Sequence, residues 1–128
     1  MKILVVDDSQ IMRRILKVGI GKINKDATIL EAENGQEALE ILRNNPDIDY
    51  TFLDINMPIM RGDEMLKIVR NDPELKHHKI IIQTTEGRKE KFLEIKAMGI
   101  SGYIIKPYTQ QIVENMMKKI MEKEGVEA

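Results

Sequence analysis

The stretch from Lys2 to Ser9, KILVVDDS, decides the fold. Four apolar residues, Ile3 to Val6, run into two adjacent carboxylates, Asp7 and Asp8, and Ser9 follows as a helix N-cap. A short apolar, β-branched run bounded by polar residues reads as a strand. Side chains alternate across a strand, so a continuously apolar one must be covered on both faces, as at the centre of a parallel sheet. Two like charges at the end of such a strand repel each other and need a partner.

Working outward, the same pattern recurs. ATILEA (Ala27 to Ala32), DYTFLD (Asp49 to Asp54), KIIIQT (Lys79 to Thr84) and SGYIIK (Ser101 to Lys106) read as four more strands. Helical patterns lie between them. Ser9 caps one to about Ile23, and Asn34 caps a second with Glu37 three residues on. A third follows Gly62 and fades near Asp72-Pro73, and a fourth runs from about Arg88 to Met98, with Gly99 to end it. The last carries Ile112, Val113, Met116, Met117 and Ile120 on one face, and the charged tail from about Glu122 is expected to fray. Strand and helix thus alternate five times, which implies an α/β fold, a doubly wound parallel sheet with helices on both faces.

Composition narrows the function. At 128 residues the chain is one domain's worth. A net charge of −1 gives no bulk attraction to nucleic acid or to a membrane surface. The absence of cysteine excludes disulfides, thiolate metal sites and thiol catalysis. The opening apolar run is too short to span a membrane and has no cleavage site after it, so a cytoplasmic location is expected. The nine methionines read mostly as core filler.

In a parallel sheet, ligands bind beyond the carboxyl ends of the strands. There the chain places Asp7 and Asp8, Asp54, Thr84 and Thr85, and Lys106 before Pro107. Each has a plain structural reading alone: a turn, a loop cap, β-propensity, an exposed Lys-Pro. Their convergence on one edge is what carries weight. Three gathered carboxylates are relieved by a hard cation with oxygen ligands, and Mg²⁺ fits that role. A carboxylate beside Mg²⁺ can attack phosphorus to give an aspartyl phosphate. Lys106 would neutralise phosphoryl charge, and a threonine hydroxyl would hydrogen-bond a phosphoryl oxygen.

The segments VVDDS, FLDINMPIMRG, TTEG and GYIIKPY resemble, in order and spacing, the receiver domain of two-component response regulators, and the likeness covers the whole chain. DDSQIMRRILK, NMP and SGYIIKP are similar to the family's stand-alone chemotaxis regulators. The resemblance implies a flavodoxin-like (βα)5 sheet in the order 2-1-3-4-5 and a single receiver domain over 1–128 without an output domain. It implies Asp54 as phosphoacceptor. Mg²⁺ would be held by Asp8 and Asp54, by the backbone carbonyl of Asn56, and by Asp7 mainly through a metal-bound water. Lys106 would contact the phosphoryl group, with a cis bond to Pro107. Thr84 would be the switch hydroxyl, Tyr103 the aromatic switch, and Asn56 and Glu86 the residues that tune dephosphorylation, here of the chemotaxis type with a short-lived phosphate.

The donor implied is a phosphohistidine on a sensor histidine kinase. The partners implied are a flagellar motor switch protein, or another target, on the face formed by the last two helices and the last strand, and a phosphatase. That face offers Lys89, Lys91, Lys96, Lys118 and Lys119. A monomer is expected, and not an enzyme toward outside substrates, since the chain would promote only its own phosphorylation and dephosphorylation. Two features depart from the family pattern. Arg61 stands where many relatives carry an acidic residue and is expected to be solvated. Gln83 is polar at the end of an apolar strand, as a partly exposed edge or a hydrogen-bonding neighbour of the site. The pair His77-His78 reads as surface loop.

Rival readings remain on the residues alone. A phosphorelay intermediate or phosphate sink carries the same motifs. An aspartyl-phosphate phosphatase of the haloacid dehalogenase type would need Asp-x-Asp, and here the pair is adjacent. A nucleotide or flavin binder would need a glycine-rich phosphate loop, and no strand is followed by one.

Overall fold

The structure, a computed structural model, describes residues 1–125. Five strands alternate with five helices: β1 (Lys2–Val6), α1 (Gln10–Ile23), β2 (Thr28–Ala32), α2 (Gly35–Asn44), β3 (Tyr50–Asp54), α3 (Gly62–Asn71), β4 (Ile80–Thr84), α4 (Lys89–Met98), β5 (Gly102–Ile105) and α5 (Gln110–Lys123). The sheet is parallel throughout, in the order β2-β1-β3-β4-β5. The strand order and the flavodoxin-like architecture are those expected.

Hydrophobicity sets the order of the strands. The three nearly continuously apolar ones, β1, β3 and β4, occupy the centre, and every residue of β3 and β4 is buried. The half-exposed β2 and β5 form the edges. Alternation divides each central strand between two cores. Leu4, Val6, Leu53 and Ile82 face α2, α3 and α4, while Ile3, Val5, Phe52 and Ile81 face α1 and α5. The caps form as read: Ser9 Oγ accepts from the Met12 N–H, and Asn34 Oδ1 accepts from the Glu37 N–H. None of the nine methionines is exposed, in keeping with a gap-filling role.

Three local expectations need correction. Ile112 points outward at 42% exposure, and the buried stripe of α5 is Val113, Met117, Ile120 and Met121. The tail does not fray at Glu122: α5 continues to Lys123, and Glu124 accepts hydrogen bonds from the Tyr50 hydroxyl at 2.5 Å and Lys79 Nζ at 2.8 Å. The last part of that tail, 126–128, lies outside the described residues. His78 is not a surface residue. It is 2% exposed, and neither ring nitrogen has a hydrogen-bond partner among the described residues. Burial, with the neighbouring His77, holds its imidazole below the ordinary histidine pKa, so it sits in the core uncharged. His77 is exposed, as read.

Candidate functional site

The parallel sheet brings four strand ends to one edge. Asp7 follows β1, Asp54 ends β3, Thr84 ends β4 and Lys106 follows β5. Asp7 and Asp54 fall on the α1/α5 side of the sheet by strand parity, and both are buried, at 0% and 3% exposure. Asp8 is exposed. One carboxylate oxygen from each of Asp7, Asp8 and Asp54 lies within 4.8 Å of the others.

Lys106 closes the site from β5. Its Nζ lies 2.7 Å from Asp7 Oδ2 and 3.2 Å from Asp54 Oδ1. A buried carboxylate usually needs one such partner, and here one lysine serves two. The imbalance appears in Asp54: burial and the Asp7 charge raise its pKa to about 6, against the pull of Lys106. Burial alone would lower Lys106, yet Asp7 and Asp54 hold its ammonium above the ordinary value. Asp54 is therefore mostly ionised at neutral pH, buried, and short of positive charge.

The site fits a hard cation. Its donors are all carboxylate oxygens, and exposed Asp8 leaves the cluster open to water-bearing ligands, which suits Mg²⁺. Local devices hold the cluster in place. Asp7 Oδ1 accepts from the Ser9 N–H at 2.9 Å, and Arg13 Nη1 donates to the Asp7 carbonyl at 2.7 Å. Gly62 packs on the end of β3 so tightly that a Cβ there would lie 2.0 Å from the Asp54 carbonyl oxygen. The Lys106-Pro107 peptide is cis, as the resemblance implies.

With this geometry in view, comparison with known proteins settles the family. A model described as the response regulator receiver domain matches residues 3–121. The chain belongs to the response regulator receiver domain family. This receiver is similar to a chemotaxis protein CheY homolog of Campylobacter jejuni, with 40% identity over 121 residues, 94% of this chain and 92% of that protein. It is also similar to the solved structure of the chemotaxis response regulator CheY4 of Vibrio cholerae, with a TM-score of 0.81, 31% identity, and 93% and 97% of the two chains covered. A third similar structure is a CheX-CheY-BeF3-Mg complex from Borrelia burgdorferi, with a TM-score of 0.85, 25% identity, and 94% and 89% covered. Mg²⁺ is thus bound within the family, and the acidic cluster of this receiver is compatible with it.

The two switch candidates of this receiver meet on the backbone of one residue, Glu86. Thr84 is fully buried and its Oγ accepts from the Glu86 N–H at 3.0 Å. The Tyr103 hydroxyl donates to the Glu86 carbonyl at 2.8 Å, and its ring stands edge-on to Phe92 of α4, centroids 4.9 Å apart. The loop between β4 and α4 is therefore gripped from both sides. The Glu86 carboxylate lies outside the acidic cluster, forked by Arg88 at 2.8 and 3.2 Å. The Arg88 guanidinium holds it below the usual carboxylate range.

The sequence reading missed several polar partners. Of the two alternatives for Gln83, the structure bears out the hydrogen-bonding one and not the exposed edge: the residue is fully buried, its amide oxygen accepts from the Tyr108 hydroxyl, and its Nε2 lies 3.4 Å from the Val6 carbonyl. This network underlies the acidic cluster on the α1/α5 side, and burial with the Asp7 and Asp54 charges pushes the Tyr108 hydroxyl pKa up. A lone polar residue ending an apolar strand was its only signal. Arg61 is not merely solvated, since it donates to Asn56 and Asp63. Lys91 does not join the basic face, because it turns to α3 and bonds Asp63 at 2.8 Å. Lys89, Lys96, Lys118 and Lys119 are exposed as expected. Among the described residues, no helix is long and apolar enough to cross a membrane.

Proposed function

We propose that this receiver accepts a phosphoryl group on Asp54 from the phosphohistidine of a sensor histidine kinase and then changes its affinity for a protein target. The observation that carries the reading is Lys106 bridging Asp7 and Asp54 at 2.7 and 3.2 Å over a buried acceptor. Asp54, ionised at neutral pH, supplies the nucleophilic oxygen. It bonds to phosphorus as the phosphorus–nitrogen bond breaks, and the electron pair returns to the imidazole, which takes a proton from solvent. Lys106 neutralises the charge that builds on the phosphoryl oxygens. Mg²⁺, held by Asp8, Asp54 and the Asn56 carbonyl with Asp7 through water, would supply Lewis-acid charge at the same oxygens.

Thr84 is the link to output. If its hydroxyl turns to the phosphoryl group, the Glu86 N–H loses its acceptor, and the loop that Tyr103 holds is freed to rearrange. The face of α4, β5 and α5 is the proposed target surface, with exposed Lys89, Lys96, Lys118 and Lys119 suited to an acidic or amphipathic segment. The similarity to CheY homologues favours control of the flagellar motor switch in the cytoplasm over a phosphorelay intermediate or phosphate sink. The chain acts as a switch and not as an enzyme on outside substrates; a phosphatase would be a third partner.

Intact mass after incubation with acetyl phosphate, with and without Mg²⁺, tests this on the wild type and Asp54→Asn. One Mg²⁺-dependent phosphoryl adduct in the wild type and none in the variant is the expected result. No wild-type adduct would overturn it.

A further inference from the structure

Exposed arginines normally leave the guanidinium in water. Arg61, though its side chain is 46% exposed, is paired: Nη1 donates to Asn56 Oδ1 at 3.0 Å and Nε to Asp63 Oδ1 at 3.1 Å. Asp63 is itself held by Lys91 of α4 at 2.8 Å. Burial pushes the Asp63 carboxyl up, but Lys91 and Arg61 keep it below the ordinary carboxylate value.

The loop is bent at some cost to deliver this contact. Ile59 has φ 69°, a rare state for a β-branched residue, and its side chain is 76% exposed. The Met60 N–H bonds the Pro58 carbonyl at 2.7 Å across it, a γ-turn of the strained positive-φ kind. Immediately after Arg61, Gly62 is clamped against the Asp54 carbonyl. Arg61 is therefore placed by a tight turn on one side and by the end of β3 on the other.

The chemistry follows from donor counting. A guanidinium carries donors only, so the Asn56 atom facing it must be the amide oxygen. With the oxygen held at the guanidinium, the free end of the Asn56 amide is its NH2 group, which can only donate. Asn56 lies two residues from Asp54. In hydrolysis of an aspartyl phosphate, water attacks phosphorus and the bond to the Asp54 oxygen breaks. The electron pair returns to the carboxylate, and a proton passes to solvent. A side chain assists by accepting a hydrogen from that water, whereas an N–H aimed at its lone pair competes with phosphorus.

We propose that Arg61 is a positioning residue that holds Asn56 in its donor orientation and so lengthens the life of the phosphoryl group on Asp54. This rests on Asp54 being the acceptor, and it reverses the short lifetime that Asn56 and Glu86 alone imply.

The test is a double-mutant cycle. Loss of the phosphoryl adduct is followed by intact mass after acetyl phosphate is removed, in wild type, Arg61→Ala, Asn56→Ala and the double variant. Arg61→Ala should speed decay by about three- to tenfold, the range that one net hydrogen bond commands. The same substitution should change nothing when Asn56→Ala is already present. An unchanged or slower decay, or an equal acceleration without the Asn56 side chain, would overturn the proposal. A second readout needs no phosphate: the Asn56 side-chain amide resonances should shift in Arg61→Ala, and unshifted peaks would also overturn it. Failure of the wild type to form any adduct would strike the Asp54 assignment, while these resonances still report whether Arg61 holds Asn56.

Discussion

The two ends of the sheet handle polar groups in opposite ways. At the amino ends, charges are matched. Glu124 accepts from Tyr50 and Lys79, and Lys2 donates from its backbone to Asp49 and from Nζ to Asn45. His78, buried there with no ring hydrogen-bond partner among the described residues, stays neutral. At the carboxyl ends, three carboxylates face one lysine, and burial with the Asp7 charge raises the Asp54 pKa to about 6 because Lys106 offsets them only in part. An end with matched charges is structural. An end left with surplus negative charge is compatible with a hard cation of the kind bound within the family.

The comparison breaks most readily at Gly62. A methyl group there would meet the Asp54 carbonyl oxygen at 2.0 Å, a backbone atom that cannot step aside. Gly62→Ala should cost about 3 kcal/mol or more, the upper range for overpacking, with a lowered urea midpoint and loss of acetyl phosphate labelling. A wild-type urea midpoint would show that the carboxyl end is looser than its geometry.

Next in size is Asp54→Asn, which should stabilise the metal-free protein at neutral pH by up to about 3 kcal/mol. The folded pKa of about 6 lies above the model value of 3.8, so the folded state binds more protons between them. Stability contributed by this group is full below 3.8 and is lost as pH rises through about 6. The wild type minus variant difference in urea midpoint should grow across that window and shrink when Mg²⁺ is added. A difference independent of pH would remove the electrostatic contrast between the two ends.

The smallest effect belongs to the matched end. Tyr50→Phe deletes the hydroxyl that Glu124 accepts from and should destabilise by about 1 kcal/mol, with labelling of Asp54 unchanged. A stabilisation instead, read from thermal melts, would mean that the amino end also carries surplus charge.

Much of this was legible along the chain. Each central strand is a nearly continuous apolar run, so its burial on both faces, and hence a parallel sheet, could be read without the structure. Ser9 and Asn34 announce their helices because capping is a local bond within three residues. Asp7, Asp54 and Lys106 converge because they lie at or just beyond strand ends, and a parallel sheet sends all strand ends to one edge. What could not be read was which polar groups find one another. Gln83 meets Tyr108 across 25 residues, Glu124 meets Tyr50 across 74, and Lys91 leaves the basic face for Asp63 across 28. His78 is polar in a polar loop, so nothing local marked it as buried.

The sequence by itself determined the strands, the helices, their alternation and the residue types delivered to the reactive edge, because apolar periodicity and caps act over a few neighbours. Only the tertiary structure decided the pairing of long polar side chains and the burial of His78. These depend on how close separate elements come once the core has packed, and a hydrogen bond is decided within a few tenths of an ångström.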